Sequence, residues 1–327
     1  MKAILVNDDR SLRWDNVPDP VMASEDVLVE IHYAALNRAD LMQRAGDYPP
    51  PPGAPDWMGL EVAGVIIDMG SEAKAKSSFK VGDEVCALLG GGGYAEYVNV
   101  KYDMLMPVPK GRSLAEAAAM PEAYCTAYLN LFHEGKAKAG DTLLMQAGAS
   151  GLASVVIPMA KAFGLRVITT VLNAEAAERI AHLGADIIVD TSKQSLKDVL
   201  REQLEAGTPV SVTIDCLGGK GMGECLPYLE HGARWIMIAA LAGTITEIDL
   251  KNIYVRNVRI IGSTLRSRTP AFKAELISSL VKDVWCKVEA GMISSSIYGI
   301  YPITEAEKAH AIMESGGHNG KIVLKVR

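Results

Sequence analysis

The stretch from Gly140 to Thr191 constrains this chain more than any other. An apolar strand run, Thr142 to Ala147, enters a turn of small residues, Gly148-Ala-Ser-Gly-Leu-Ala-Ser154, and leaves it as an amphipathic helix. Small residues let a backbone approach a pyrophosphate, and the helix start behind them offers unpaired N–H groups to its oxygens. Leu152, Val155, Val156, Met159, Ala160 and Phe163 recur at helical spacing, and Gly164 can close the helix in a left-handed conformation. The G-x-G-x-x-G positions are filled by Ala149, Gly151 and Ser154, so only the middle glycine is literal, and by itself the turn is a weak fingerprint. Pro158 removes the amide that would bond the Ser154 carbonyl, so a bend is expected between them, at a cost of roughly 3 kcal/mol if the helix stays straight.

The segments beyond the turn support a nucleotide-binding sheet. Strand runs at 166–171, 187–190, 210–215 and 233–240 alternate with helical runs at 174–182, 195–206 and 222–229. Such alternation implies right-handed crossovers and a parallel, doubly wound α/β sheet. A ligand-free strand-turn-helix accounts for one unit of this kind but poorly for a series of them.

Residues 1 to about 110 read differently, with short strands, Gly/Pro turns and few helices. Val27, Val29, Ile31 and Tyr33 alternate with Leu28, Glu30 and His32, and strands at 62–68, 81–88 and 94–100 come after them, which suits a closed or partly closed barrel. Between them, Asn37 to Tyr48 carries amide, guanidinium, carboxylate and phenol groups ahead of four prolines, Pro49 to Pro52. A solvated helix and a functional polar cluster both fit that composition. Ser113-Leu-Ala-Glu116 is a capping box, and a further helix is expected from Glu122 to about His133, with Glu122 and Thr126 either facing a cofactor cleft or simply exposed. The tail offers a strand at 258–263, a helix from about Ala271 to Ala290, a short strand at Ile297, a helix ending near Gly316–Gly317, and a closing strand, Lys321 to Val326. The last two strands are expected to rejoin the N-terminal barrel.

A chain of 327 residues suits two domains, and a formal charge of −6 without a basic run argues against a nucleic-acid partner. No segment approaches a membrane span, and the apolar run after Met1 is too short for a signal peptide, so a soluble, cytoplasmic protein is expected. Five cysteines, none at C-x-x-C spacing, suit reduced, buried thiols rather than a metal cage, with Cys125 beside Thr126 the one candidate for reactivity.

Taken in order, these pieces resemble the medium-chain dehydrogenase/reductase superfamily, and within it the zinc-independent quinone oxidoreductases related to zeta-crystallin. The carriers are Asn37-Arg-Ala-Asp-Leu-Met-Gln-Arg-Ala-Gly-Asp-Tyr-Pro49, Gly59-Leu-Glu-Val-Ala-Gly64, Val81-Gly-Asp-Glu-Val85, Gly92-Gly-Tyr-Ala-Glu-Tyr97, Pro121-Glu-Ala-Tyr-Cys-Thr-Ala127, the small-residue turn, Asp215-Cys-Leu-Gly-Gly219, Leu265-Arg-Ser-Arg268 and Gly320-Lys-Ile-Val-Leu324. The resemblance spans essentially the whole chain. It implies a GroES-like β-barrel catalytic domain from residues 1–118 and 264–327, a Rossmann cofactor domain from 119–263, and a homodimer joined near Val258 to Ile261. Zinc-dependent relatives carry a Cys and a His where this chain has Asn37 and Leu60, so no zinc is expected.

The implied activity is NAD(P)H-dependent reduction of a small-molecule quinone, with reduction of an enone or enoyl thioester on the same scaffold as the nearest alternative and nucleotide binding with little turnover as a further one. By the family's pattern, Tyr48 orients the acceptor and can supply a proton, and Asn37 is a polar anchor. Thr126, Ala240, Leu241 and Leu265 hold the nicotinamide, while the turn Ala149, Ser150, Gly151 and Leu152 faces the pyrophosphate. NADPH-preferring relatives place a Ser and a Lys after the second strand, and some a Tyr after the third, where this chain has Asn173, Glu175 or Ala176, and Thr191. Lys193 is the nearest cation for a 2′-phosphate. The resemblance favours NADP(H), with NAD(H) as the alternative.

Overall fold

A computed structural model describes residues 1–294, 296–316 and 318–327. The chain divides into two compact units. The first is built from Met1–Cys125, Arg266–Glu289 and Ser295–Arg327, the second from Thr126–Leu265 and Ala290–Ser294.

Seven strands open the first unit: β1 (Lys2–Val6), β2 (Leu12–Asn16), β3 (Asp26–Ala35), β4 (Glu61–Met69), β5 (Glu84–Leu88), β6 (Tyr97–Lys101) and β7 (Leu105–Pro107). The second unit holds β8 (Thr142–Met145), β9 (Arg166–Val171), β10 (Ile187–Asp190), β11 (Val210–Asp215), β12 (Leu229–Met237) and β13 (Arg259–Gly262), and the chain returns to the first with β14 (Ile297–Pro302) and β15 (Lys321–Lys325).

In the first unit the strands run β14-β15-β3-β4-β5-β7, with β6 also pairing β3, and β1 and β2 form a separate antiparallel hairpin. β3 is the hub, because it pairs antiparallel with β4, β6 and β15 at once. Its alternating Val27, Val29 and Ile31 are fully buried, which is the inward face the sequence pattern predicts. The last two strands thus complete the sheet that the N-terminal strands begin. Two elements carried no clear sequence signal, the β1–β2 hairpin and the helix Ser71–Lys76.

In the second unit all strands are parallel, in the order β10-β9-β8-β11-β12-β13. The chain winds outward from β8 through β9 to β10, then restarts beside β8 at β11. That reversal leaves a crevice at the carboxyl ends of β8 and β11, where doubly wound sheets bind ligands. Trp235, Leu144, Ile168, Val189, Leu226 and Leu229 pack the core beneath it.

Several expectations need correction. The helix after Pro121 is α-helical only to Tyr128; Leu129–Glu134 is a π turn, closed by the Gly135 amide donating to the Asn130 carbonyl at 3.0 Å. The Asn130 side-chain amide also donates to the Thr126 carbonyl at 2.7 Å, competing with regular helix bonding. A Cβ on Gly135 would lie 2.5 Å from the Asn130 oxygen, so glycine permits the closure. Cys86, Cys125, Cys216 and Cys225 are buried, but Cys286 is exposed. The Cys125 thiol is pushed far up by burial, with Glu122 adding to the effect, so it is no reactive thiolate. The helix Ala306–Ser315 ends on a left-handed Gly316, while Gly317 lies outside the described residues. No described helix is long and apolar enough to cross a membrane.

Candidate active site

In the second unit the turn after β8 is shaped by close packing. A Cβ on Gly148 would lie 2.4 Å from the Thr169 hydroxyl and 2.8 Å from Ile180 Cδ1, so only glycine lets the turn sit this low on β9. The Gly148 amide donates to the Thr170 carbonyl (2.7 Å) and the Ala147 amide to the Thr170 hydroxyl (3.0 Å), which pins the turn to the sheet. The Ser150 hydroxyl accepts from the Ala153 amide at 3.1 Å, within the turn that leads into the helix behind it. Among the described residues, the amides of Ala149, Gly151 and Leu152 donate to no protein acceptor. Orphan amides at the head of a ten-residue helix form an anion cradle, which is what a pyrophosphate needs. The residues present therefore fit a dinucleotide.

The neighbouring loops are ordered by Asp215, a fully buried carboxylate to which neither periodicity nor spacing assigns a role. One oxygen accepts from the Leu217 and Gly218 amides at 2.7 and 3.1 Å, the other from the Trp235 indole at 3.0 Å. The loop after β11 is tied in turn to the loop after β12: the Leu241 amide donates to the Cys216 carbonyl at 3.0 Å, and Gly218 bridges Gly243. Ala240 is half-buried, Leu241 is 65% exposed and Leu265 is buried. Asn173 spends its side chain capping the helix Ala174–Ile180, accepting from the Ala176 amide at 2.9 Å. Lys193 is 68% exposed and pairs loosely with Asp190 at 3.5 Å.

The first unit holds a buried polar cluster. Asp40, on the helix Arg38–Ala45, is only 1% exposed, so this face of the helix points inward rather than to solvent. Its carboxylate accepts from the Asn37 amide (2.8 Å), the Gly59 amide (3.1 Å) and the Tyr94 hydroxyl (3.2 Å). Burial raises its pKa to about 6 against those bonds. Glu61, fully buried, accepts from Lys321 Nζ at 2.6 Å, the Asn37 side-chain amide at 2.9 Å and the Glu122 backbone amide at 2.9 Å. Lys321 also donates to the Asn37 side-chain oxygen (2.8 Å) and the Leu36 carbonyl (2.9 Å). Asn37 is thus held at both ends of its amide, one by a cation and the other by a carboxylate.

Tyr48 is half-buried on the proline-rich loop and lines a pocket of about 1140 Å³ within this unit. The Arg266 guanidinium lies 4.7 Å over its ring and donates to the Tyr48 carbonyl (3.2 Å), the Gly90 carbonyl (2.9 Å) and the Gln43 side chain (2.7 Å). Arg266 is therefore a strut fully occupied by the pocket wall. Burial raises the Tyr48 hydroxyl above the ordinary phenol range, so it stays protonated as a donor. Glu122 is pushed up to about 7 by burial and by the Glu61 carboxylate, with Lys321 opposing. At the zinc-ligand positions implied by resemblance stand Asn37 and Leu60, and among the described residues no group of three or more His, Cys, Asp or Glu is placed to hold a metal ion. Of the residues singled out at sequence level, Asn37 and Tyr48 lie in the first unit and all those assigned to the cofactor lie in the second.

A GroES-like sheet and a doubly wound nucleotide sheet on one chain define a two-domain oxidoreductase scaffold. A model of the alcohol dehydrogenase GroES-like domain matches residues 23–110, and one of the zinc-binding dehydrogenase family matches residues 151–282. The quinone oxidoreductase of Mus musculus is 29% identical over 308 residues, covering 93% of this chain and 90% of its own. The native structure of a mycobacterial quinone oxidoreductase matches with a TM-score of 0.86 at 26% identity, covering the whole of both chains. That of the quinone oxidoreductase from Thermus thermophilus, determined with and without NADPH, matches at 0.81 with 27% identity, again over both whole chains. The chain belongs to the medium-chain dehydrogenase/reductase superfamily.

Proposed function

We propose that this oxidoreductase uses NADPH to reduce quinones by hydride transfer, in a site that needs no metal. The observation that carries the reading is the cradle of orphan amides at Ala149, Gly151 and Leu152, at the carboxyl end of β8. We assign those amides and Ser150 to the pyrophosphate, and Thr126, Ala240, Leu241 and Leu265 to the nicotinamide. When bound, a reduced nicotinamide supplies the hydride. Lys193, only loosely paired, is available to a 2′-phosphate, with Asn173 beside the same strand ends. Glu175, which would repel that phosphate, is neutralised by Arg179 at 2.9 Å. Both features favour NADPH over NADH, as does the NADPH complex of the Thermus relative.

For the acceptor we assign the pocket of the first unit. Its apolar walls, including Pro51, Trp57, Leu88 and Leu89, suit a planar, electron-poor ring, and Tyr48 offers it a hydroxyl donor. Asn37, held by Lys321 and Glu61, gives that region a fixed polar edge. A quinone is already electrophilic, so the protein must position and neutralise rather than activate it. The unpaired edge of β13, with Ile260 40% exposed, is the surface we assign to pairing in a homodimer, which light scattering would read as twice the chain mass.

Steady-state oxidation of NADPH and NADH with an ortho-quinone, an alkenal and a crotonyl thioester tests the assignment. The quinone with NADPH should be fastest. A faster thioester would make this an enoyl reductase, and no acceleration by any acceptor would leave a nucleotide-binding protein.

A further inference from the structure

Lys273 stands on the helix Pro270–Glu289, 9% exposed, yet it lines the same pocket as Tyr48 and Arg266. Burying an ammonium is costly unless its protons find acceptors. Among the described residues Nζ has one, the Arg266 carbonyl at 2.7 Å, and no carboxylate pairs with it. The charged and titratable groups that act on it are Glu122 and Cys125 from the helix Pro121–Tyr128 and Arg266 from the preceding loop. Glu122 is the one counter-charge, and Arg266 opposes it.

Unspent N–H groups on a pocket wall beside Trp57, Leu88 and Leu89 call for an oxygen that carries negative charge. Reduction of a quinone creates one. We propose that Lys273 is a catalytic residue that hydrogen-bonds the acceptor oxygen and delivers a proton to it as charge develops, with the Tyr48 hydroxyl as the second donor. This rests on the reductase reading above and names the residue that completes it. The acceptor gains a hydride from the reduced nicotinamide, which ends oxidised by two electrons. Addition at one carbonyl oxygen moves a ring electron pair onto the other, that oxygen takes the proton from Lys273 Nζ, and the product is a neutral hydroquinone. The lysine amine then recovers its proton from water.

Two other donors in the pocket are less suited. Arg266 is committed to the Gly90, Tyr48 and Gln43 oxygens, and burial makes the Tyr48 hydroxyl a weaker acid than free phenol. Burial lowers Lys273 below the ordinary lysine range, in the direction that favours proton release near neutrality.

Two measurements test this. Without any nicotinamide, 4-nitrophenol titrated into the full-length protein at mildly acidic pH should turn to its coloured phenolate on binding, with its ionisation constant raised about tenfold, one pKa unit. Lys273→Met should abolish that shift. In turnover with an ortho-quinone, Lys273→Met should lower kcat about 10²-fold and lose the alkaline limb of the pH profile. NADPH affinity by fluorescence should stay unchanged, and Lys273→Arg should recover part of the rate. Removing a buried charge that has a single acceptor should leave the melting temperature no lower; if the Met variant fails to express, Lys273→Gln carries the same prediction. Equal phenolate ionisation and equal kcat in wild type and variant would overturn the role of Lys273 and leave the reductase reading standing. A wild-type protein that ionises nitrophenol through Lys273 but turns over no quinone would sink the reductase reading instead.

Discussion

In the second unit the candidate site is main chain: three unpaired amides, set by a glycine that cannot carry a Cβ and by a helix start behind it. In the first unit the site is side chain, a set of carboxylates and cations taken out of water and tied together over long sequence separations. The difference shows how each can fail. A backbone cradle depends on local geometry and tolerates most side-chain changes nearby, whereas a buried charge network depends on every partner being present, because each group left alone is an uncompensated charge.

The sharpest way to break that contrast is Lys321→Met. It leaves the fully buried Glu61 without its cation, and the expected loss is about 3–5 kcal/mol, read as a lower urea midpoint. An unchanged midpoint would mean the network adds nothing beyond packing.

A subtler effect comes from His310, fully buried, edge-on to Tyr94 at 5.9 Å, with neither ring nitrogen partnered among the described residues. Burial lowers its pKa from 6.5 to about 4, Arg44 adds to this and Glu307 opposes. The folded state holds it neutral while the unfolded chain takes up a proton below its ordinary value, so its contribution is complete above pH 6.5 and is lost as pH falls towards 4. The difference should approach roughly 3 kcal/mol. Asp40, raised to about 6, titrates in the same window with the opposite sign, so the comparison must be wild type against His310→Leu across pH. Parallel stability curves would refute the assignment.

On the backbone side, Gly148→Ala should cost about 1–3 kcal/mol through its clash with Thr169. It should weaken NADPH binding while leaving nitrophenol binding intact, and equal loss at both sites would erase the distinction. The smallest effect belongs to Ser113→Ala, which removes the acceptor for the Glu116 amide at an exposed helix start. About 1 kcal/mol is expected by thermal melting, with no change in either site.

The same contrast explains what could be read from sequence. The cradle was legible because its residues are contiguous and the strand and helix around it declare themselves by period. The network was not, because the Lys321 bond to the Leu36 carbonyl joins positions 285 residues apart. Weaker local signals do exist for two of the buried lysines. Lys273 falls on the buried stripe of its helix with Leu276, Ile277, Leu280 and Val284, where an unpaired lysine is out of place. Lys321 begins an otherwise apolar closing strand, Ile322 to Leu324. The Asn37–Tyr48 segment allowed a solvated helix, and only the burial of Asp40 decided against it. The π turn at Leu129–Glu134 has no periodic signature to find.

Single-turnover oxidation of protein-bound NADPH by an ortho-quinone, followed as loss of reduced-nicotinamide absorbance and repeated with cofactor deuterated at C4, addresses hydride transfer itself. The account predicts quinone-dependent oxidation that is markedly slower with deuterium on one face of the ring. Bound cofactor that stays reduced in the presence of quinone, or oxidation at the same rate with deuterium on either face, would contradict it.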